Sequence, residues 1–344
     1  MRYCLFGRSG LRVSELCLGT MTFGNPDWGI DQPASNAILE AYAAAGGNFL
    51  DTAHIYGDGE SERIVGEFAA ADRDHFVIAT KYTPSLGTDL LRAGNSRRNM
   101  MRSVEESLKR LGTDYIDLYY IHMWDATTPL DEVMRGFEDL VRSGEVLYIA
   151  ASDTPAWQVS RANMLADLRG WAPFIGIQVE YSLAKRTPER DLLPMAAELD
   201  LGVVAWALLA GGALSGGSGG PRERVRAARS SERTAALAAL VGEIARETGH
   251  TPGQIALAAL RQLGRHPAVL PIVGASSVDQ FTANLGYLDI RLDAAQLARL
   301  DEASRVDLGF PHEFLASGPV RDLVTGRHAD RLDDHRRPFW RPGA

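Results

Sequence analysis

Phe76-Val77-Ile78-Ala79-Thr80-Lys81 and Ile116-Asp117-Leu118-Tyr119-Tyr120-Ile121-His122 flank a helical pattern over residues 98–111. Both runs are apolar with little alternation, which marks strands covered on both faces. Strand, helix and strand together read as one parallel βαβ unit. Six further runs extend it: Leu16-Cys17-Leu18, then 48–51, 146–152, 174–181, 203–208 and 269–273. Helical patterns fall between them at 34–46, 60–70, 129–143, 156–168, 188–199 and 252–264. Eight β-type runs in this order predict an α/β fold, a (β/α)8 TIM barrel rather than an open doubly wound sheet.

Local signals support several boundaries. Thr251-Pro252 reads as N-cap and first helical residue. Asp293 with Gln296 reads as a capping box before Leu297 and Leu300. At the N-terminus, Tyr3 to Phe6 and Leu11 to Glu15 flank a turn at Gly7-Arg8-Ser9-Gly10, a hairpin placed to plug the bottom of a barrel. Residues 1–344 are expected to form one barrel domain with an irregular tail from about 305 to 344. Gly211 to Gly220 holds six glycines and Arg222 to Arg233 is arginine-rich, which reads as a mobile loop.

Composition narrows the function. Hydrophobic residues make up 45% of the chain and charged residues 23%, ordinary for a soluble globule. A net charge of −8 offers no basic excess for nucleic acid. No run of about 18 apolar residues predicts a membrane span. The start is too poor in apolar residues for a signal peptide. Cys4 and Cys17 are the two cysteines, with no disulfide framework, so a reducing, cytoplasmic setting is expected. The histidines are scattered; His122 and Asp125 lack a third ligand at metal spacing, and no metal is expected. No Gly-x-Gly-x-x-Gly follows a strand, and the glycine run lacks a P-loop ending.

Four polar residues stand where apolar runs stop. Asp51 ends the run at 48–51, Tyr56 follows five residues later, and Lys81 and His122 close their own runs. Parallel neighbouring strands would gather all four at the C-terminal mouth, where barrel enzymes keep their active sites. A phenol near its reference pKa of about 10 is a weak acid at neutral pH. Lys81, charge-balanced by Asp51, would lower that value. A neutral His122 could donate to a carbonyl oxygen while Tyr56 protonates the alkoxide. No side chain supplies hydride, so a nicotinamide cofactor is implied.

Gly46-Gly47-Asn48-Phe49-Leu50-Asp51-Thr52-Ala53 with Tyr56-Gly57 resembles the first signature of the aldo-keto reductase superfamily. Leu18-Gly19-Thr20-Met21-Thr22-Phe23-Gly24 is similar to its first strand and loop, and Ala79-Thr80-Lys81 and Tyr120-Ile121-His122 to its other catalytic positions. The likeness runs from about Tyr3 to Leu288. It implies a (β/α)8 barrel that reduces aldehydes and ketones with NADPH, or with NADH. Tyr56 would be the general acid, tuned by Lys81 and Asp51, with His122 orienting the carbonyl. Gly19, Thr20, Met21 and Asp51 fall in the cofactor site on the same resemblance. Ser152, Asp153 and Gln178 would meet the nicotinamide carboxamide, and Tyr181 would lie near its face. The segment Trp206 to Gly212, with Ala207, Leu209 and Gly211, would run along the pyrophosphate. Gly274, Ser276, Gln280 and Asn284 would hold the adenosine.

The chain also departs from that pattern. Asp153 stands where Asn or Arg is more usual. Ser276 replaces an Arg, Gly217 a Lys, and Ala283 an acidic residue, which leaves fewer charge-assisted contacts for a 2′-phosphate. Arg222, Arg224, Arg226 and Arg229 could restore that charge by folding over the adenosine, or could form a solvated face. Trp28, His54 and Trp124, with Phe310-Pro311 and Phe314 as a far wall, suggest an aromatic-lined cleft for a modest carbonyl substrate. Two alternatives share the fold: a reductase of one pathway intermediate such as a sugar nucleotide, and a slow-turnover, cofactor-binding regulatory subunit. The unsubstituted tetrad favours an enzyme. Oligomeric state is open at this level.

Overall fold

The computed structural model describes residues 1–85, 87–216, 231–263 and 269–331. A hairpin of strands β1 (Tyr3–Leu5) and β2 (Arg12–Ser14) comes first. The barrel strands follow: β3 (Cys17–Gly19), β4 (Phe49–Asp51), β5 (Val77–Tyr82), β6 (Ile116–Ile121), β7 (Val146–Ser152), β8 (Phe174–Glu180), β9 (Gly202–Trp206) and β10 (Val269–Val273). They pair in parallel in chain order, and β10 closes on β3. The α/β, (β/α)8 architecture expected from the sequence is therefore the fold of the chain. Every residue of β4, β5 and β6 is buried. This is why their sequences lack alternation: both faces are covered, one by the barrel interior and one by helices.

The helices are α1 (Gln32–Ala44), α2 (Glu60–Ala69), α3 (Arg97–Leu111), α4 (Leu130–Ser143), α5 (Ala156–Arg169), α6 (Leu192–Glu198), α7 (Glu232–Thr248), α8 (Pro252–Leu263), α9 (Val278–Leu285) and α10 (Ala294–Ser304), then two short helices, α11 (His312–Ala316) and α12 (Gly318–Val324). Asp293 and Gln296 form the expected capping box. Thr251 and Gln254 exchange reciprocal bonds at the start of α8. The helix expected over 188–199 is broken. A 3-10 turn, Thr187–Arg190, precedes α6, and Asp191 between them leaves helical geometry and caps Leu192. Helix α7 falls where no helix was expected. No helix among the described residues is long and apolar enough to cross a membrane.

Period two along each strand sorts side chains into an inner and an outer set. Cys17, Phe49, Val77, Ala79, Leu118, Tyr120, Ala150, Val204 and Leu270 pack together inside, with Phe6. Phe6 comes from the hairpin and is fully buried, its ring centroid 5.7 Å from that of Phe49. A Cβ at Gly176 or Gly202 would stand 2.4 or 2.5 Å from the Phe6 ring, so those strands admit the plug by lacking one. Gly7 turns the chain at φ +57, with a virtual Cβ only 2.1 Å from the Ile175 carbonyl. The hairpin thus closes the bottom. Continuing the same alternation upward, the next inward positions are Gly19, Asp51, Lys81, His122, Ser152, Gln178 and Trp206. The polar mouth is the top layer of the barrel interior.

Candidate active site

Asp51 and Lys81 enter the site as the last inward residues of β4 and β5. Lys81 is fully buried and Asp51 3% exposed. Lys81 Nζ donates to Asp51 Oδ2 and to the Thr52 carbonyl, both at 2.7 Å, and reaches the Tyr56 hydroxyl at 3.4 Å. Burial disfavours the Lys81 charge, but Asp51 and Tyr56 more than offset it and leave the pKa above its ordinary value. The second oxygen of Asp51 accepts from Gln178 Nε2 at 2.7 Å. The carboxylate is therefore held on both sides by groups from β5 and β8.

Tyr56 lies in the turn between β4 and α2. The turn reverses through three consecutive left-handed residues, Gly57, Asp58 and Gly59. A Cβ on Gly57 would crowd the carbonyls of Phe23 and Gly24 at 3.0 Å. Below it, hydroxyls tie the exit of β4 in place. Thr20 Oγ1 donates to the Asp51 carbonyl at 2.9 Å, and Ser61 Oγ lies within 2.9 Å of both the Thr20 and Thr52 hydroxyls. Burial pushes the Tyr56 pKa up, and Lys81 opposes this without reversing it. The expectation of a lowered pKa is thus corrected: desolvation of the phenolate outweighs the ammonium. Tyr56 keeps its proton at neutral pH.

His122 follows β6. Its ring stands edge-on to Tyr56, with centroids 5.9 Å apart and planes at 81°. Burial, with Lys81 and His54 nearby, drives its pKa down to about 2. The imidazole is neutral. Its Nδ1 is buried with no hydrogen-bond partner among the described residues. A lone pair there is cheaper than an orphaned N–H, which favours the tautomer carrying hydrogen on Nε2.

The remaining expected residues are spread around the same mouth and along two loops. Ser152 ends β7 and is buried, and Asp153 follows it at φ +40. Asp153 is exposed at the rim of the mouth, yet desolvation of its carboxyl by the surrounding protein raises the pKa to about 6, although Trp206 donates to it at 3.2 Å. Gln178 and Tyr181 are 4% exposed at the end of β8, and Tyr181 donates to Glu189. Past β9, Ala207, Ala210, Gly211 and Gly212 all hold positive φ, and Leu209 sits among them. Ala210, Gly211 and Gly212 are consecutive left-handed residues, and the N–H groups of Ala210, Gly212 and Ala213 donate to the carbonyls of Ala207, Leu209 and Ala210, which makes the segment a tight turn. Gly274 follows β10, and a Cβ there would meet only the Gly19 carbonyl, at 3.6 Å. Ser276 donates through N–H and hydroxyl to Gln280 Oε1, at 2.8 and 3.0 Å, and Asn284 lies on α9. Thr20 is buried, while Met21 is 46% exposed. The open strand end at Gly274 and the Gln178 amide at the mouth fit an extended cofactor with a carboxamide head. Gly217 and Arg222 to Arg229 lie outside the described residues.

The three expected substrate residues take different surroundings. His54 is 3% exposed, with its ring nitrogens 2.8 Å from the carbonyl oxygens of Lys81 and Pro84. Trp28 is half-buried in the loop after β3, and its backbone N–H is held by Asn25. Trp124 is half-buried, and its backbone N–H donates to the Asp153 carbonyl at 3.3 Å. Phe310 and Phe314 are 84% and 56% exposed; Phe310 borders a surface cleft of about 460 Å³ between residues 187–192 and 308–312. None of the four catalytic candidates lines that cleft.

Sequence reasoning passed over a buried layer beneath the site. Glu62 on α2 is fully buried, accepting from Thr80 at 2.6 Å and from Arg110 at 2.6 Å. It holds strand β5 just before Lys81. The available signal was its place on the buried face of α2 with Ile64 and Val65.

Residues 15–305 match the profile of the aldo/keto reductase family. The chain belongs to that family. A norsolorinic acid reductase of Aspergillus flavus is 37% identical over 333 residues, covering 93% of this chain and 85% of that protein. An NADP(+) aryl-alcohol dehydrogenase of Phanerodontia chrysosporium is 35% identical over 347 residues, covering 92% and 89%. As an aldo/keto reductase the chain is an oxidoreductase acting on small-molecule carbonyl compounds.

Proposed function

We propose that this aldo/keto reductase, acting as one catalytic unit over residues 1–344, reduces an aldehyde or ketone to the alcohol with NADPH, with aryl carbonyl compounds as the substrate class. One observation carries the mechanism: a fully buried Lys81 ammonium bonds Asp51 at 2.7 Å and reaches the Tyr56 hydroxyl at 3.4 Å. Tyr56 holds a proton that burial keeps on it. As negative charge develops on the carbonyl oxygen, that proton is delivered to it and the resulting phenolate is stabilised by Lys81. Neutral His122 donates a hydrogen bond to the same oxygen and sets its direction. Asp51 keeps the ammonium in place. The nicotinamide cofactor, when bound, supplies the hydride. Ser152 and Gln178 would hold its carboxamide, with the Gln178 carbonyl free to accept because its amide nitrogen is turned to Asp51. The loop 207–212 and the Gly274–Asn284 segment would hold the rest.

The aryl preference is supported by the likeness to an aryl-alcohol dehydrogenase, and by Trp28 and Trp124 standing half-buried on the loops after β3 and β6. NADPH rather than NADH is supported by the same relative's NADP(+); Ser276, whose hydroxyl donates to Gln280, brings no cation to a 2′-phosphate. The test is loss of absorbance at the reduced nicotinamide band with NADPH, then NADH, against benzaldehydes and aryl ketones. Tyr56→Phe is expected to lower kcat by about 10²- to 10⁴-fold, the usual span for a lost general acid, with NADPH affinity unchanged. A variant that keeps most of its rate would place the proton donor elsewhere.

A further inference from the structure

Asp153 stands one residue past the end of β7 and holds φ +40, a left-handed backbone that Asp and Asn adopt more readily than other residues with a side chain. Its main chain is fastened on both sides. The N–H donates to the Gln178 carbonyl at 3.2 Å, and the carbonyl accepts from the Trp124 N–H at 3.3 Å. Neighbouring segments thus fix the main chain in this turn, and with it the direction of the side chain. The result is that the carboxylate reaches over the end of β8 to β9. There Trp206 Nε1 donates to Asp153 Oδ1 at 3.2 Å. Trp206 is the last inward position of β9, so its indole lies in the same mouth as Lys81 and Tyr56.

We infer that Asp153 is a positioning residue: it fixes the plane of the Trp206 indole, so that a flat ring bound beside the acid–base cluster meets a pre-set aromatic face. The inference rests on the proposed function, the flat ring being that of the cofactor. An indole tied through its only donor loses little further freedom when a ring packs on it, which favours binding. Carboxylate rather than amide at this position makes the tie charge-assisted, hence stronger and dependent on pH.

The groups that act on the carboxyl are Trp206 on β9, Glu180 on β8, Lys81 on β5 and Tyr56 after β4. Although Asp153 is exposed at the rim, desolvation of its carboxyl raises the pKa to about 6; the Trp206 bond and Lys81 pull it down, and Glu180 pushes it up. Above that pH the bond to Trp206 is ionic in character, and below it the acceptor is neutral.

The test measures NADP+ affinity by tryptophan fluorescence for the wild type, Asp153→Asn, Asp153→Ala and Trp206→Phe, from about pH 5 to about pH 8. Asp153→Asn keeps an acceptor oxygen without charge, so it should bind like the acidified wild type at every pH. The wild type should gain about fivefold over Asp153→Asn as pH rises, the step between a neutral and a charged hydrogen bond. Titration of the cofactor's own phosphate is common to both proteins and cancels in that ratio. Asp153→Ala should bind more weakly than either at the upper pH. In the Trp206→Phe background, which keeps a ring and loses the donor, Asp153→Asn should have no further effect. NADP+ binding that is indifferent to Asp153, or an Asp153→Asn effect that persists with Phe at 206, overturns the inference alone. No binding of NADP+ by the wild type overturns the proposed function and the inference with it.

Discussion

Lys81 and Asp51 show what a buried ion pair does in this protein. Each is removed from water, so the pair is weak grounds for stability but strong grounds for mutual dependence. Asp51→Ala leaves an ammonium in the barrel interior with only the Thr52 carbonyl and the Tyr56 hydroxyl for company. It is expected to cost about 3–5 kcal/mol in urea unfolding. Adding Lys81→Met to that variant should recover part of the loss, because the uncompensated charge goes too. If the double variant is as unstable as the sum of the two single ones, the pair is not coupled as described. The four catalytic candidates were legible in the sequence because each closes an apolar run. The direction of the Tyr56 shift was not. It depends on how completely the phenol is desolvated against its distance from Lys81, and both are properties of the packed site.

Strands and helices explain why the mouth is polar and the bottom is not. Inward positions carry Phe49, Val77, Ala79 and Leu118 below, then Asp51, Lys81 and His122 above, so one strand period separates core from chemistry. At the base, Phe6 fills the space left by Gly176 and Gly202. Phe6→Ala should therefore destabilise the fold by about 3–5 kcal/mol while leaving kcat near wild type, since the plug lies at the opposite end from Tyr56. A large fall in kcat at unchanged stability would show that the plug controls the mouth. Helix α7 marks where reading by element fell short. Its buried residues Leu237, Val241 and Ile244 do repeat at helical spacing. Alanines throughout the segment blur the contrast between its faces, and the preceding arginine-rich run draws the eye to a loop. The break at Asp191 did have a sequence signal in Pro194, which cannot donate back to the Arg190 carbonyl and so belongs in the first turn of a new helix, capped by Asp191.

Across the whole molecule, the barrel is closed by contacts between residues far apart in sequence. Arg186, 5% exposed, bonds Glu189 at 2.6 Å and both Asp301 and Ser304 at 2.8 Å, tying the loop after β8 to α10. Arg186→Ala should cost about 3–5 kcal/mol, the range for removing one partner of a buried pair, and should expose α10 to limited proteolysis before the rest of the chain. Equal resistance in the two proteins would mean that α10 is held by its packing on α7 and α8 without Arg186. Strand number, strand order and the four residues at the mouth were set by the sequence alone. Buried parallel strands must be apolar throughout, and polar residues at their ends have only the mouth to occupy. Other features needed the folded chain: the bond of Asp153 to Trp206, the enclosure of His54 between two carbonyls, and the buried Glu62 beneath Lys81. Each joins segments that no local pattern relates, and only closure of the barrel brings them within hydrogen-bonding distance.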